Sequence, residues 1–165
     1  MKETNNIIIK LTNYLEQNLI TSPNLFYKEN VHFAESCFNK KSSKNLDNYL
    51  EQKLDKNNFQ QTLFKLIDKN NKKDSEIYNK AYIDRRLFSK IRTDENYHPT
   101  KHTIISLGLA LELNITDFEN LLKSASYSLP KNNYFDLIIR FCIEEKIYDI
   151  IEVNYLLDKY NCNTL

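Results

Sequence analysis

Apolar residues recur at helical spacing along most of this 165-residue chain, and short polar stretches separate the segments that carry the pattern. One residue is glycine and three are proline, which leaves few turn-forming residues for a β fold. The sequence therefore predicts an all-α protein. The expected helices cover residues 4–20, 27–38, 45–55, 59–70, 75–81, 85–92, 101–113, 117–125, 133–145 and 149–160.

A tight turn is expected between two of these helices, 75–81 and 85–92. Tyr82 and Ile83 form this predicted turn. Asp84 is a candidate N-cap for the second helix, because its carboxylate can accept hydrogen bonds from backbone amides that lack a partner in the first turn. If the backbone at Tyr82 has a positive φ, this residue carries strain that a glycine would not.

The second of these helices has one apolar face and one polar face. Leu87, Phe88 and Ile91 fall on one side at helical spacing, which predicts that this side is buried. A helix divided in this way can pack on a core and still reach into a DNA groove. The polar face consists of Arg86, Ser89 and Thr93, flanked by Arg85 and Lys90.

Composition and charge limit the domain count and the kind of surface that the chain can present. The chain is 41% hydrophobic and 27% charged, which fits one domain, or one domain with a helical extension. Its formal net charge is +1 at pH 7, whereas proteins dedicated to duplex DNA often carry a basic excess. Any electropositive surface must therefore be local. Three of the four arginines, Arg85, Arg86 and Arg92, do fall in one predicted helix.

Neither a membrane span nor a signal peptide is expected. Apolar runs are only a few residues long, and the N-terminus is too polar for a signal peptide. We therefore expect a cytoplasmic protein without a membrane partner. The cysteines, Cys37, Cys142 and Cys162, are odd in number and form no Cys-x-x-Cys pair, so free thiols are expected.

No pattern of catalytic, metal-binding or cofactor-binding residues stands out. The single glycine, Gly108, excludes a glycine-rich phosphate loop, and its position inside a predicted helix indicates a close helix crossing. His98 and His102 flank a Pro-Thr-Lys sequence with no third ligand nearby, so a metal site is not expected. We expect a protein that is not an enzyme and that carries no cofactor.

The predicted helices over 59–125 contain motifs that have counterparts in a known family. The motifs are Ala81-Tyr82-Ile83-Asp84-Arg85-Arg86-Leu87-Phe88-Ser89-Lys90-Ile91-Arg92, then Pro99-Thr100, Thr103-Ile104-Ile105 and Ala110-Leu111. They resemble the phage-repressor-like, or XRE-type, helix-turn-helix family. That family usually has Ala-Gly-hydrophobic-Ser/Thr before its recognition helix, and Pro-Ser/Thr-x-x-Thr-Leu with an Ala-Leu pair after it. From about residue 46 onward, the chain more narrowly resembles uncharacterised bacterial proteins that carry this domain with a C-terminal helical tail.

The resemblance implies a repressor-like five-helix helix-turn-helix core over residues 57–130. An N-terminal helical segment, 1–56, and a two-helix C-terminal extension, 131–165, flank this core. The implied function is that of a DNA-binding transcriptional regulator on double-stranded DNA, in which the helix 84–93 enters the major groove. The implied DNA contacts are Arg85, Arg86, Ser89, Lys90 and Thr93 in the groove, with Lys72 and Lys73 on backbone phosphates.

Departures from the family pattern leave a second function open. Tyr82 stands where the family usually has glycine. The carboxylates of Asp74 and Glu76 lie where the family often offers a glutamine to a phosphate, and carboxylates repel phosphate. These departures favour a protein-interaction or adaptor module that keeps the repressor-like fold, binds a protein partner and has lost DNA binding.

Further alternatives concern the arginines and the last two helices. Arg85 and Arg86 either contact DNA or belong to a solvated face and pair with Asp84 or Asp94. The last two helices either pack back on the core or form the seam of a homodimer, as the N-terminal helices could also do. Operator binders of this type are commonly two-fold, because a single short helix buries little surface on DNA.

Overall fold

The computed structural model describes residues 2–18, 58–94 and 97–165, which form eight helices and no strand. The all-α prediction is confirmed for these residues. The helices expected over 27–38 and 45–55 lie outside them. The helices are α1 (Lys2–Asn18), α2 (Phe59–Lys69), α3 (Asp74–Lys80), α4 (Arg85–Thr93), α5 (Lys101–Ala110), α6 (Ile115–Ser124), α7 (Tyr134–Glu144) and α8 (Ile150–Lys159).

Side-chain caps fix where most of these helices begin. Asp84 is confirmed as a cap, because its carboxylate accepts a hydrogen bond from the backbone amide of Arg86 at 2.7 Å. At α6 the expected start at Asp117 is wrong. The helix begins earlier because the Asn114 side chain accepts the amide hydrogen of Asp117. The capping residues are Asn58, Asp84, Thr100, Asn114, Asn133 and Asp149.

The ends of six helices depend on residues with left-handed backbone. This conformation reverses the chain after a helix and normally favours glycine, but the single glycine of this chain lies inside α5. After α3 the residue is Tyr82, at a φ of 52°, and the next amide, of Ile83, donates to the Tyr78 carbonyl at 2.9 Å. The predicted strain at Tyr82 is therefore present. The residues concerned are Asn71, Tyr82, Glu112, Ser126, Lys146 and Asn161.

Helix α5 lies at the centre of the core. Every residue from Ile104 to Ala110 is buried, so beyond its first turn this helix has no face open to solvent. Helices α3 and α6 pack against it, and α2 packs against α6. Gly108 faces Phe118 of α6, which confirms the close helix crossing that the sequence predicts.

Helix α1 packs on α7, although the two are far apart in sequence. Leu11 and Leu15 are buried, and the ring of Tyr14 meets that of Phe141 edge-on with centroids 5.5 Å apart. At the same surface, the Lys10 ammonium lies 2.9 Å from a Glu145 carboxylate oxygen. Part of the apolar surface of the C-terminal helices is thus covered by a helix of the same chain.

A buried ion pair joins α7 to the start of α5. Asp136 is 3% exposed, and its carboxylate accepts hydrogen bonds from Lys101 Nζ at 2.5 Å and Asn133 Nδ2 at 2.8 Å. Removing one partner of such a pair leaves an uncompensated buried charge, which is strongly destabilising. Arg140 makes a second link from α7, to Glu119 on α6.

No helix among the described residues is long and apolar enough to cross a membrane.

Candidate functional site

Helices α3 and α4 form two halves of one surface feature, joined by residues 81–84. From α3, Ile77 is buried in the core. From α4, Phe88 and Ile91 are buried and Leu87 is half-buried against the same core. The predicted apolar face of α4 is therefore confirmed, and its position is fixed by packing.

A side chain of α2 holds the far end of α4. The amide nitrogen of Gln60 donates to the carbonyl oxygens of Ile91, at 3.1 Å, and Arg92, at 2.5 Å. The last carbonyls of a helix have no partner within the helix itself, so this amide supplies the missing donor. With Asp84 at the start, both ends of α4 are held by side chains.

The opposite face of α4 is open to solvent. Arg85 and Arg86 are exposed, and among the ion pairs of the described residues none includes either of them. The alternative in which these arginines pair with Asp84 or Asp94 is not observed in the described ion pairs. Their guanidinium groups therefore offer hydrogen-bond donors at the surface.

The remaining predicted groove contacts differ in how available they are. Ser89 is exposed beside the arginines. The Thr93 hydroxyl donates a hydrogen bond to the backbone carbonyl of Ser89 at 3.0 Å. The Lys90 ammonium lies over the ring of Tyr97, 4.5 Å from its centroid. Both Lys90 and Thr93 remain on the exposed face, each with one contact inside the chain.

The two lysines predicted to contact phosphate are in different environments. The Lys72 ammonium donates to the Ala110 carbonyl at 3.2 Å and lies 3.1 Å from a Glu112 carboxylate oxygen. Its side chain is only 17% exposed, so a phosphate would have to displace these contacts. Lys73 is exposed and precedes α3 without a side-chain capping bond.

Both carboxylates expected to repel phosphate have cationic partners. The Arg92 guanidinium donates to the Asp74 carboxylate at 2.6 Å and lies over the ring of Phe64, 4.1 Å from its centroid. A carboxylate oxygen of Glu76 lies 3.8 Å from the Lys80 ammonium, one helical turn away. The local negative charge that the sequence indicates is therefore largely compensated.

A groove of about 540 Å³ runs between α3 and α4. It brings the predicted site residues Arg85 and Ser89 together with Asp74 and Arg92, neither of which is among the predicted DNA contacts. Lys72 and Lys73 do not line it. The groove is lined by Asp74, Ser75, Tyr78, Arg85, Phe88, Ser89 and Arg92.

A second cavity, of about 490 Å³, lies beside the turn between α3 and α4. Tyr82 and Tyr148 contribute rings to its wall, and Lys80 and Glu112 contribute opposite charges. Hydrogen bonds from Lys80 and Lys72 hold the pKa of Glu112 below its ordinary value. Within this cavity the Lys80 ammonium and the Glu112 carboxylate therefore satisfy each other, 3.1 Å apart.

The histidines and cysteines of the described residues have structural contacts. His98 Nε2 lies 2.9 Å from the Ala125 carbonyl oxygen, whereas the ring of His102 packs edge-on against Phe135. The two rings thus contact different partners, and no group of metal-ligating side chains forms among the described residues. Cys142 is fully buried, and burial raises the pKa of its thiol to about 12, so this thiol does not ionise at neutral pH.

Gln60, Phe64 and Asp74 belong to the site through contacts that the sequence analysis missed. Gln60 and Phe64 lie in α2, and nothing in the local pattern of that helix indicates a contact with α4. The sequence indicates Asp74 only as a carboxylate that repels phosphate, and not as a partner of Arg92. These contacts could be predicted only from information on which residues, far apart in sequence, lie next to each other in the fold.

No family model matches this chain, and neither a curated protein nor a solved structure matches it at a significant level. The function must therefore be argued from the geometry of α3, α4 and the helices that hold them.

Proposed function

We propose that this protein is a DNA-binding transcriptional regulator of helix-turn-helix type. In this proposal α2 to α6 form the repressor-like five-helix core, and α4 enters the major groove of double-stranded DNA. The observation that carries the proposal is the division of α4. Phe88 and Ile91 anchor one face in the core, while Arg85 and Arg86 present unpaired guanidinium groups on the other.

The exposed groups of α4 suit the edges of base pairs. An arginine can donate two parallel hydrogen bonds to O6 and N7 of guanine, and each such pair contributes roughly 1–3 kcal/mol of discrimination. Ser89 can donate to or accept from either kind of base edge, and Lys90 adds a positive charge. Lys73, at the start of α3, is available to a backbone phosphate.

Rigid placement of α4 supports the same proposal. Asp84 caps its first turn, and Gln60 holds its last carbonyls. A helix that is already fixed loses little conformational entropy when it binds.

A protein-interaction module is the second candidate, and Tyr82 favours it. This residue is 68% exposed at a φ of 52°, where a non-glycine residue costs roughly 1–3 kcal/mol. Strained backbone clusters at functional sites, and Tyr82 also lines the second cavity. A homodimer, under either function, would use α1 or α8, which leave Ile9, Ile151 and Tyr155 exposed.

Binding of mixed-sequence genomic duplex DNA, followed by fluorescence anisotropy across a salt series, tests the proposal. The logarithm of affinity should fall linearly with the logarithm of salt concentration, because bound phosphates release counterions. Replacing Arg85 and Arg86 together by alanine should abolish binding while the circular dichroism spectrum and melting temperature stay unchanged.

The matched control replaces Lys131 and Lys159 by alanine. Both lysines are exposed and lie outside α3 and α4, so this variant loses the same net charge without changing the site. It should bind like the unmodified protein. Absence of binding at low salt would overturn the proposal and leave the interaction module, for which Tyr82→Ser would then be the first variant to compare in partner binding.

A further inference from the structure

The ion pair between Arg92 and Asp74 closes one side of the groove between α3 and α4. Arg92 is the third arginine of α4, and its guanidinium donates to Asp74 at 2.6 Å. Arg85 lines the same groove with its guanidinium unpaired. We propose that Asp74 occupies on Arg92 the place of a DNA backbone phosphate, and so acts as an internal competitor that lowers DNA affinity. This inference depends on the proposed function.

The residue types that line the groove suit a phosphate group. Two serines, Ser75 and Ser89, and two arginines, Arg85 and Arg92, are among its lining residues, and hydroxyl and guanidinium groups are donors that a phosphate binds. Asp74 is the single carboxylate among the residues that line it. A carboxylate and a phosphodiester each offer two oxygens to a guanidinium, so one can replace the other on Arg92 without a new binding geometry.

The exposure of the pair makes this exchange inexpensive. The side chains of Arg92 and Asp74 are 46% and 40% exposed, and ion pairs at this level of exposure are weak because water screens them. Arg92 does not depend on Asp74 alone for its position. Its guanidinium also lies 4.1 Å from the ring centroid of Phe64, and this contact keeps the group at the groove when the carboxylate is absent.

Replacing Asp74 by asparagine should therefore strengthen DNA binding. The change keeps the shape of the side chain and removes its charge, which releases Arg92 to the phosphate. We expect about fivefold tighter binding of mixed-sequence duplex DNA at moderate salt, the upper end of what one exposed ion pair contributes. The slope of log affinity against log salt should steepen by about 0.9, which corresponds to one more neutralised phosphate.

Glu145→Gln is the matched control for net charge. Glu145 pairs with Lys10 at similar exposure, 40% and 54%, but this pair joins α7 to α1 and does not line the groove. Glu145→Gln changes the net charge by the same unit as Asp74→Asn. It should leave both the affinity and the salt slope unchanged.

The double variant Asp74→Asn with Arg92→Ala tests whether the gain passes through Arg92. It should lose the added affinity and the added slope. Asp74→Ser provides a second way to remove the carboxylate, and melting temperatures verify that each variant is folded.

The possible results separate this inference from the proposed function. If the unmodified protein binds DNA with a salt-dependent affinity and Asp74→Asn binds equally well or more weakly, the ion pair only holds α3 and α4 together. The inference is then overturned while the proposed function stands. An equal gain in Glu145→Gln also overturns it, because the effect would then be one of net charge. If the unmodified protein binds no DNA at low salt, both fall together.

Discussion

Phe118 packs its ring directly onto Gly108. A β-carbon added to Gly108 would lie 2.5 Å from Cε2 and 2.7 Å from Cδ2 of that ring, closer than such atoms approach in proteins. Phe118 is 1% exposed and cannot swing out into solvent. The one glycine of the chain therefore marks the place where α5 and α6 approach too closely for any side chain.

Gly108→Ala should destabilise the protein by up to about 2 kcal/mol, because the extra carbon costs roughly 1–3 kcal/mol in a packed core and alanine returns about 1 kcal/mol of helix propensity. Alanine favours a helix by about 1 kcal/mol over glycine, so a loss of stability would show that the clash outweighs the helix propensity. Urea denaturation followed by circular dichroism measures the change. In a Phe118→Leu background, the same Gly108→Ala change should cost less, and strict additivity of the two changes would contradict this explanation.

Lys146→Gly should stabilise the protein by roughly 1 kcal/mol, because Lys146 has a φ of 60° and glycine adopts this conformation without the steric cost of a β-carbon. Lys123→Gly is the matched control. Lys123 is exposed inside α6, where glycine should cost about 1 kcal/mol. Thermal unfolding of both variants gives the sign of each change in stability. A loss of stability in both would show that the strain at Lys146 is negligible.

Glu112 should contribute stability that depends on pH. Its pKa in the folded protein is lowered by Lys80 and Lys72, so the carboxylate stabilises the fold above its ordinary pKa, and this contribution disappears as pH falls through the lowered value. Glu112→Gln should therefore be less stable than the unmodified protein between about pH 7 and pH 5, and the difference should shrink below about pH 4. Because the side chains of Glu112 and Lys80 are both about half exposed, we expect a difference of at most about 1 kcal/mol between the two proteins.

The control for this pH effect is Glu152→Gln. Glu152 is exposed and takes part in none of the ion pairs among the described residues. Its removal should shift the stability curve little at any pH. Equal pH dependence in the two variants would mean that Lys80 and Lys72 do not account for the effect.

Local features of this fold could be predicted from sequence, because they depend on neighbouring residues. Asp84 caps α4 as expected, and the apolar spacing of Phe88 and Ile91 correctly indicates the buried face. The start of α6 was displaced because Asn114 and Asp117 are both good capping residues, and Asn114 takes the capping position while Asp117 supplies the amide hydrogen that it accepts.

Contacts over long sequence distances explain what could not be predicted. Arg92 counted among the clustered arginines of one helix, but its guanidinium is held by Asp74 and Phe64. Lys72 was expected in a solvated loop or on a phosphate, but α5 brings the carbonyl of Ala110 and the carboxylate of Glu112 to it. No local pattern records such partners, because they are set by how the helices pack.

The contacts of α1 impose an order on the synthesis of this protein. The hydroxyl groups of Thr12 and Tyr160 lie 2.8 Å apart, although 148 positions separate the two residues. The ribosome releases the chain from its N-terminus, so Leu11 and Leu15 emerge long before α7 and α8 exist to cover them. This part of the fold can therefore close only after α7 and α8 have been synthesised, and a chain that stops before α7 leaves α1 without its packing surface.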